Sequence, residues 1–357
     1  MKIYFVLEYL EGQGGVESVV TQVVKALERR GIETTVLLAE PSLETEWEKE
    51  LPRVHYYDRH RTVFGVSRVM CRVQGLNSLL GKIGYPDIMV GAYTPWTTLY
   101  SRFCIPQNFK IPIISWLHMQ LMIFDNTRHL HYADWHWCIS EEIAYGIAQI
   151  TKRSENIIWV GNPVCLKVKP IPISKENHFV YIGRIEIPGK RLDLLLSALA
   201  RLKVEWHLDL YGNGTCVKGV KELIQTLNLQ SKVTLKGFVK NPWKEIKSCK
   251  ALLLASDFES FGMVLVEAIS RGIPVISTAC GGPQTIINSD NGWLVPAGDV
   301  EAYTQALEKI IALSEEELQR QVQKAALSLE RFDEEKVIDR MLITLNGYRR
   351  AGDTDDH

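Results

Sequence analysis

Apolar runs of strand length alternate with amphipathic stretches of helix length from one end of the chain to the other. The first run, KIYFVLEY, predicts a strand, and VESVVTQVVKALERRG behind it predicts a helix that Gly31 closes from its C′ position. TTVLLA, DIMVGAY, IPIISWL and WHWCIS predict further buried strands. Runs this apolar, separated by helical segments, belong to parallel sheets covered on both faces. The alternation breaks over residues 161–178, where GNPVCLKVKPIPISKENH carries three prolines that favour extended connections. A second series then runs through FVYIGR, WHLDLYG, KVTLKGF, KALLLAS and IPVISTA to NGWLVP. The expected class is α/β: a Rossmann-like domain over residues 1–163, a second over 164–332, and a helix with a tail over 333–357 that crosses back to the first domain. Two doubly wound domains facing one another would bring their strand ends to one inter-domain cleft, where such sheets take ligands.

Composition narrows the function without naming it. A chain of 357 residues is too long for one ordinary core, which agrees with two domains. A formal net charge of −1 lacks the basic excess of a nucleic-acid binder, so no nucleic-acid partner is expected. The seven cysteines include no C-x-x-C pair and suit reduced thiols in a cytosolic enzyme. Glu8 interrupts the amino-terminal MKIYFVLEYLEGQGG, which excludes a signal-peptide core there, and no run approaches the ~18 uncharged apolar residues of a membrane span. The expected location is cytoplasmic.

Candidate chemistry concentrates in the second half. Glu259-Ser260-Phe261-Gly262 follows the apolar run ALLLAS and precedes MVLVEAIS. A strand, a short loop and a helix in that order aim free backbone N–H groups and the positive helix end at an anion. MVLVEAIS is apolar nearly all round, so Glu267 in its middle is costly unless its carboxylate accepts hydrogen bonds. A structural partner on a neighbouring helix would serve as well as a ligand. Glu259 and Glu267 are eight residues apart, roughly 12 Å along a helix axis, about the separation of a hexose and a ribose joined through a pyrophosphate. The loop Gly183-Arg184-Ile185-Glu186-Ile187-Pro188-Gly189-Lys190-Arg191 carries cations that can neutralise a diphosphate leaving group without a metal, or else form a solvated basic loop. Tyr211-Gly212-Asn213-Gly214 and Gly237-Phe238-Val239 end the next two strands on the same sheet edge, where their backbone groups suit a base or form ordinary turns; Gly281-Gly282-Pro283 ends another.

The first half offers less. Gly12-Gln13-Gly14-Gly15-Val16-Glu17 opens the first helix, with Glu17 where the third glycine of a dinucleotide fingerprint would stand. Neither half has that fingerprint followed by an acidic residue about 20 positions on, which excludes an NAD-dependent oxidoreductase. His118 ends the strand IPIISWL at the ligand edge, where it is a site residue or a satisfied structural histidine. His129, His131 and His136 have no companion ligands at recognised spacing, and Asp353-Thr354-Asp355 lies in a polar tail, so no metal site is expected. Residues 1–52 hold five Lys/Arg against ten Asp/Glu, whereas residues 53–82 hold six Lys/Arg against one Asp. The second segment, with Arg59, Arg61, Arg68 and Arg72 among its cations and His55, Tyr56, Tyr57, His60 and Phe64 between them, suits an anionic membrane surface or a solvated helix face.

The pattern E-x7-E, preceded by G-R-x5-K and followed by GIPVIS…GGP…NGWLVPAGD, resembles glycosyltransferase family 4, which has the GT-B fold, over nearly the whole chain. That resemblance implies that Glu259 faces the hydroxyls of a donor hexose, that Glu267 takes the ribose diol, and that Arg184 and Lys190 grip the pyrophosphate. Ser260 and the backbone of Phe261 and Gly262 would add phosphate contacts, Asn213 and Phe238 would border the base, and the loop at Gly14 and Gly15 would close over the donor. His118 would lie beside the anomeric carbon, completing a catalytic set with Arg184, Lys190 and Glu259. Asn213 and Thr285 depart from the family pattern, each standing where an acidic residue is usual. SWLHM, NPW and the GP…II…NG run are similar to the lipopolysaccharide-core α-1,6-galactosyltransferases. The implied activity is retaining transfer of a hexose from a UDP-sugar, galactose before glucose or N-acetylglucosamine, to a cell-envelope glycan or lipid-linked acceptor. It needs no cofactor and places the protein peripherally at the inner face of the cytoplasmic membrane. The alternative is a non-catalytic glycan- or membrane-binding relative, which would not need the Arg-Lys pair and both glutamates together.

Overall fold

Only Lys2 of β1 (Lys2–Leu7) reaches solvent fully; the five residues behind it are buried, as the interior of a parallel sheet requires. In the computed structural model, which describes residues 1–12, 14–58 and 67–352, six more strands join it: β2 (Glu33–Leu38), β3 (Val54–Tyr56), β4 (Ile88–Tyr93), β5 (Ile113–Leu117), β6 (Trp135–Cys138) and β7 (Ile157–Trp159). They pair in the order β3-β2-β1-β4-β5-β6-β7, all parallel. The order reverses between β1 and β4, the topological switch point of this sheet.

The second sheet is built alike. β8 (His178–Ile182), β9 (His207–Tyr211), β10 (Val233–Gly237), β11 (Ala251–Leu254), β12 (Val275–Thr278) and β13 (Gly292–Val295) pair in the order β10-β9-β8-β11-β12-β13. Its switch point lies between β8 and β11. The strands read from apolar runs are present, and β3 and β7 are additions, each three half-buried residues at an edge of the first sheet.

Two compact units result. One holds Met1–Pro163 together with the chain from Glu334 onward; the other is Val164–Asp333. In the first unit the helix Arg68–Ile83 starts at Ser67, whose hydroxyl accepts from Met70 N–H at 3.3 Å. Its Val69, Val73, Leu76 and Leu80 recur at helical spacing and pack with Tyr4, Val6 and Met89 of the sheet. The last helix, Glu334–Gly352, belongs to this unit. Arg29 pairs with Glu334, Arg30 with Glu335 and, at 3.2 Å, Asp339. Deeper in, the indole of fully buried Trp137 donates to Thr344 Oγ1 at 3.2 Å, and Arg340 donates to the Val160 carbonyl at 2.6 Å. The exposed ion pairs contribute little each, so the buried contacts of this helix hold it.

Candidate functional site

The loop after β8 and the loop after β11 flank the second switch point, and they are tied together. Asp257 N–H donates to the Gly189 carbonyl at 2.8 Å, Arg191 Nη1 donates to Asp257 Oδ1 at 3.1 Å, and Lys190 Nζ forms an ion pair with Glu259 Oε1. Ser256 Oγ donates to the same Glu259 oxygen at 3.0 Å. Both members of the Lys190–Glu259 pair are mostly buried, so their attraction is screened less than a surface pair would be. An ammonium has three N–H donors, and one directed at Glu259 leaves others for a second acceptor.

The loop after β12 joins the same assembly. Glu259 N–H donates to the Cys280 carbonyl at 3.3 Å and its own carbonyl accepts from Gly282 N–H at 2.8 Å, which extends strand-like pairing past the sheet. On the other side the loop after β9 presses on the loop after β8. Ile185 N–H donates to the Asn213 carbonyl at 2.8 Å, and a Cβ added at Gly212 would lie 1.8 Å from the Gly183 carbonyl oxygen, so only glycine fits.

Gly262, at φ +92°, is the N-cap of the helix Met263–Ser270, and its left-handed backbone turns the loop into the helix axis. Glu259 therefore lies in the loop, and the 12 Å measured along a helix axis does not describe its distance from Glu267. Ser260 is half-buried, whereas Phe261 is buried with its ring edge-on to Phe332 at 5.1 Å, so only its backbone can meet a ligand. Glu267 accepts from the Trp243 indole N–H at 2.8 Å. Arg271 lies over the Trp243 ring at 4.8 Å and donates to the Glu267 carbonyl at 2.7 Å. Burial raises the Glu267 pKa, opposed by the Trp243 hydrogen bond and the Arg271 charge.

Other expected residues are placed less centrally. Arg184 is exposed and its guanidinium is 3.4 Å from Glu186, so this structure does not bring it onto the Lys190–Glu259 pair. Asn213 is exposed, with its side chain folded back to accept Gly214 N–H at 2.9 Å. Phe238, just beyond β10, exposes 49% of its surface. In the first unit Gly14 is the N-cap of the helix Gly15–Arg29, and Gly12 N–H donates to the buried Glu17 carboxylate at 2.7 Å. Gln13 lies outside the described residues. His118, one residue beyond β5, is buried against Trp116 with ring centroids 4.3 Å apart. Burial pushes its pKa down to about 3, so the imidazole is neutral at physiological pH.

Trp243 and Ser256, the direct partners of the two glutamates, were not among the expected site residues. Trp243 sits in the NPW run, a visible signal with no partner attached to it; Ser256 ends the apolar run ALLLAS, two residues past β11, and carries no signal at all.

The basic segment is corrected in part. Arg72 is 4% exposed, pairs with Glu8, and lies 3.4 Å from Asp58, so it cannot face a membrane. Arg53 pairs with Glu28 at 2.7 Å, and exposed Arg68 stands 3.9 Å from Glu40. Among the described residues, Glu8, Glu28 and Glu40 of the acidic run thus face Arg72, Arg53 and Arg68 of the basic run behind it. Arg59, His60, Arg61 and Phe64 lie outside the described residues, as does the triplet at 353–355. Among the described residues no group of three or more His, Cys, Asp or Glu is arranged to hold a metal ion, and no helix is long and apolar enough to cross a membrane.

Known proteins share both the fold and this sequence pattern. Residues 167–340 match the family described as glycosyl transferases group 1. The lipopolysaccharide 1,6-galactosyltransferase of Escherichia coli K12 is 29% identical over 356 residues, covering 96% of this chain and 97% of its own. That of Salmonella typhimurium is 30% identical over 330 residues, covering 87% and 90%. Among solved structures, the apo form of the lipopolysaccharide outer core galactosyltransferase WaaB is 27% identical with a TM-score of 0.83, covering 97% of this chain and 99% of that one. Anabaena HepE in complex with UDP-glucose is 20% identical with a TM-score of 0.80, covering 97% and 100%. The chain belongs to the group 1 glycosyl transferases and has the GT-B fold.

Proposed function

We propose that this glycosyltransferase moves galactose from UDP-galactose, with retention at the anomeric carbon, to a sugar of a lipopolysaccharide core. The observation that carries the reading is the Lys190–Glu259 pair at the second switch point, beside the N-terminus of the helix that bears Glu267. Glu259 accepts hydrogen bonds from hexose hydroxyls, while the remaining Lys190 donors and the helix N-terminus meet the diphosphate. Arg184, exposed and only 3.4 Å from Glu186, exchanges that partner for the diphosphate and adds a second cation. Glu267 accepts from the ribose hydroxyls. The family resemblance assigns neutral His118 and its backbone carbonyl to the transferring sugar, and the loop at Gly14 and Gly15 to the donor phosphates. The acceptor hydroxyl attacks from the face that UDP leaves, and its proton passes to the departing phosphate oxygen. The names of the relatives support the galactose and the core acceptor, and the UDP-glucose complex of HepE supports a UDP-sugar.

Protein cations replace a metal in this scheme. UDP is therefore expected to bind with the same affinity in excess EDTA, measured by calorimetry, and complete loss of binding there would sink the metal-free assignment. Trp243 positions Glu267, so Trp243→Phe keeps a ring under Arg271 and removes the N–H. UDP affinity is expected to fall about tenfold, within the range for a hydrogen bond to a charged group. The preference for UDP over 2′-deoxy-UDP should shrink with it; an unchanged preference would show that Trp243 only packs.

A further inference from the structure

Arg191 stands in a backbone conformation that arginine rarely takes. Its φ of +48° and ψ of +44° are left-handed, and it is the N-cap of the helix Leu192–Ala200. Arg191 N–H donates to the Ile187 carbonyl at 3.0 Å, which closes the turn that carries Lys190. The Arg191 carbonyl then accepts from Leu195 N–H at 3.1 Å, which opens the helix. Glycine would take this junction without strain. An arginine here costs free energy that its side chain must offset, and a strained residue beside a site points to a task for that residue.

The guanidinium shows the task. Nε donates to Asp193 Oδ1 at 3.0 Å and Nη2 to Asp193 Oδ2 at 3.1 Å, while Nη1 donates to Asp257 Oδ1 at 3.1 Å. A planar guanidinium shared between two carboxylates is fixed in orientation as well as in place. Asp193 lies in the first turn of the helix behind Arg191, whereas Asp257 belongs to the loop after β11. Asp257 also donates its backbone N–H to the Gly189 carbonyl at 2.8 Å. One residue thus holds both chain neighbours of Lys190, Gly189 through its backbone and Arg191 through its carboxylate. Glu259, the partner of the Lys190 ammonium, follows Asp257 by two residues. An ammonium ends a flexible four-carbon stem, so its place depends on how firmly the backbone beneath it is held.

We propose that Arg191 and Asp257 are positioning residues for Lys190: together they clamp the backbone on either side of it and so fix its ammonium against Glu259. Resting on the transfer reading above, the clamp places the cation that meets the departing diphosphate. It acts on turnover through Lys190 and not on the donor directly.

The test uses the full chain and has two arms. Without donor, reductive methylation by formaldehyde and cyanoborohydride, read by peptide mass spectrometry, reports the freedom of each ammonium. Lys190 is expected to react more slowly than Lys218, whose side chain is 92% exposed. Arg191→Gly should bring Lys190 towards the Lys218 rate with little change in melting temperature, because glycine relieves the left-handed backbone. In steady-state kinetics with UDP-galactose and a core acceptor, Arg191→Gly is expected to lower kcat at least about tenfold with the donor KM little changed. A catalytic group misplaced by about 1 Å loses up to about 10²-fold in rate. Added to Lys190→Ala, the same substitution should cause no further loss. Unchanged Lys190 methylation in Arg191→Gly overturns the clamp. A loss that multiplies with that of Lys190→Ala also overturns it, since the loop would then have loosened as a whole. Should Arg191→Gly fail to fold, Asp257→Ala decides by the same two arms, because it keeps the backbone bond to Gly189. Full kcat in Lys190→Ala would end the leaving-group role of Lys190 and leave the clamp to be judged by methylation alone.

Discussion

Replacing Lys190 with alanine is expected to lower kcat by about 10²–10³, the loss of roughly 2.7–4 kcal/mol seen when one preorganised charge stabiliser is removed. The ammonium lies against Glu259, mostly buried, just past the apolar central strand β11, ALLL. A cation there strengthens its hold as negative charge grows on the departing diphosphate, so the effect falls on turnover more than on donor binding. Lys190→Arg should recover part of the rate, since the charge returns with a different shape. Steady-state kinetics with UDP-galactose and a core acceptor give the measurement. An unchanged kcat in Lys190→Ala would reduce the pair to a loop clasp.

The two glutamates should separate by what each substitution spoils. Glu267→Ala is expected to weaken UDP about 10–100-fold, as loss of a charged partner for the ribose hydroxyls. Glu259→Ala should leave UDP affinity nearly intact and lower sugar transfer. Its backbone bonds to Cys280 and Gly282 do not involve the side chain, so the loop should keep its place. Calorimetry of UDP against both variants decides: normal affinity in both means that the ribose role of Glu267 must be given up.

The buried centres of both sheets were legible because a strand covered on both faces is a continuous apolar run, as IISWL and ALLL show. VHY and IIW were not, because an edge strand of three half-buried residues carries neither a run nor an alternation. The loops of the site were legible as motifs, while the contacts between them were not. Lys190 and Glu259 are 69 residues apart, and Trp243 and Glu267 are 24 apart; only the strand order brings them together. The helical spacing assigned to Glu259 and Glu267 failed at one residue, Gly262, whose left-handed backbone delays the helix start. The basic segment misled for a related reason. Charge summed along the chain cannot show that Arg72 folds under Glu8, 64 residues earlier.

The final helix sets a timetable for synthesis. Arg29 and its partner Glu334 are separated by 305 residues, with the entire second unit between them. At about 5–20 residues per second a ribosome needs roughly 15–60 s to cross that distance. Throughout that interval the first unit has emerged with Trp137 still waiting for Thr344 and the Val160 carbonyl for Arg340. The nascent chain thus completes its second unit before its first, and the helix from Glu334 onward closes a domain whose sheet was synthesised before the whole of the second unit.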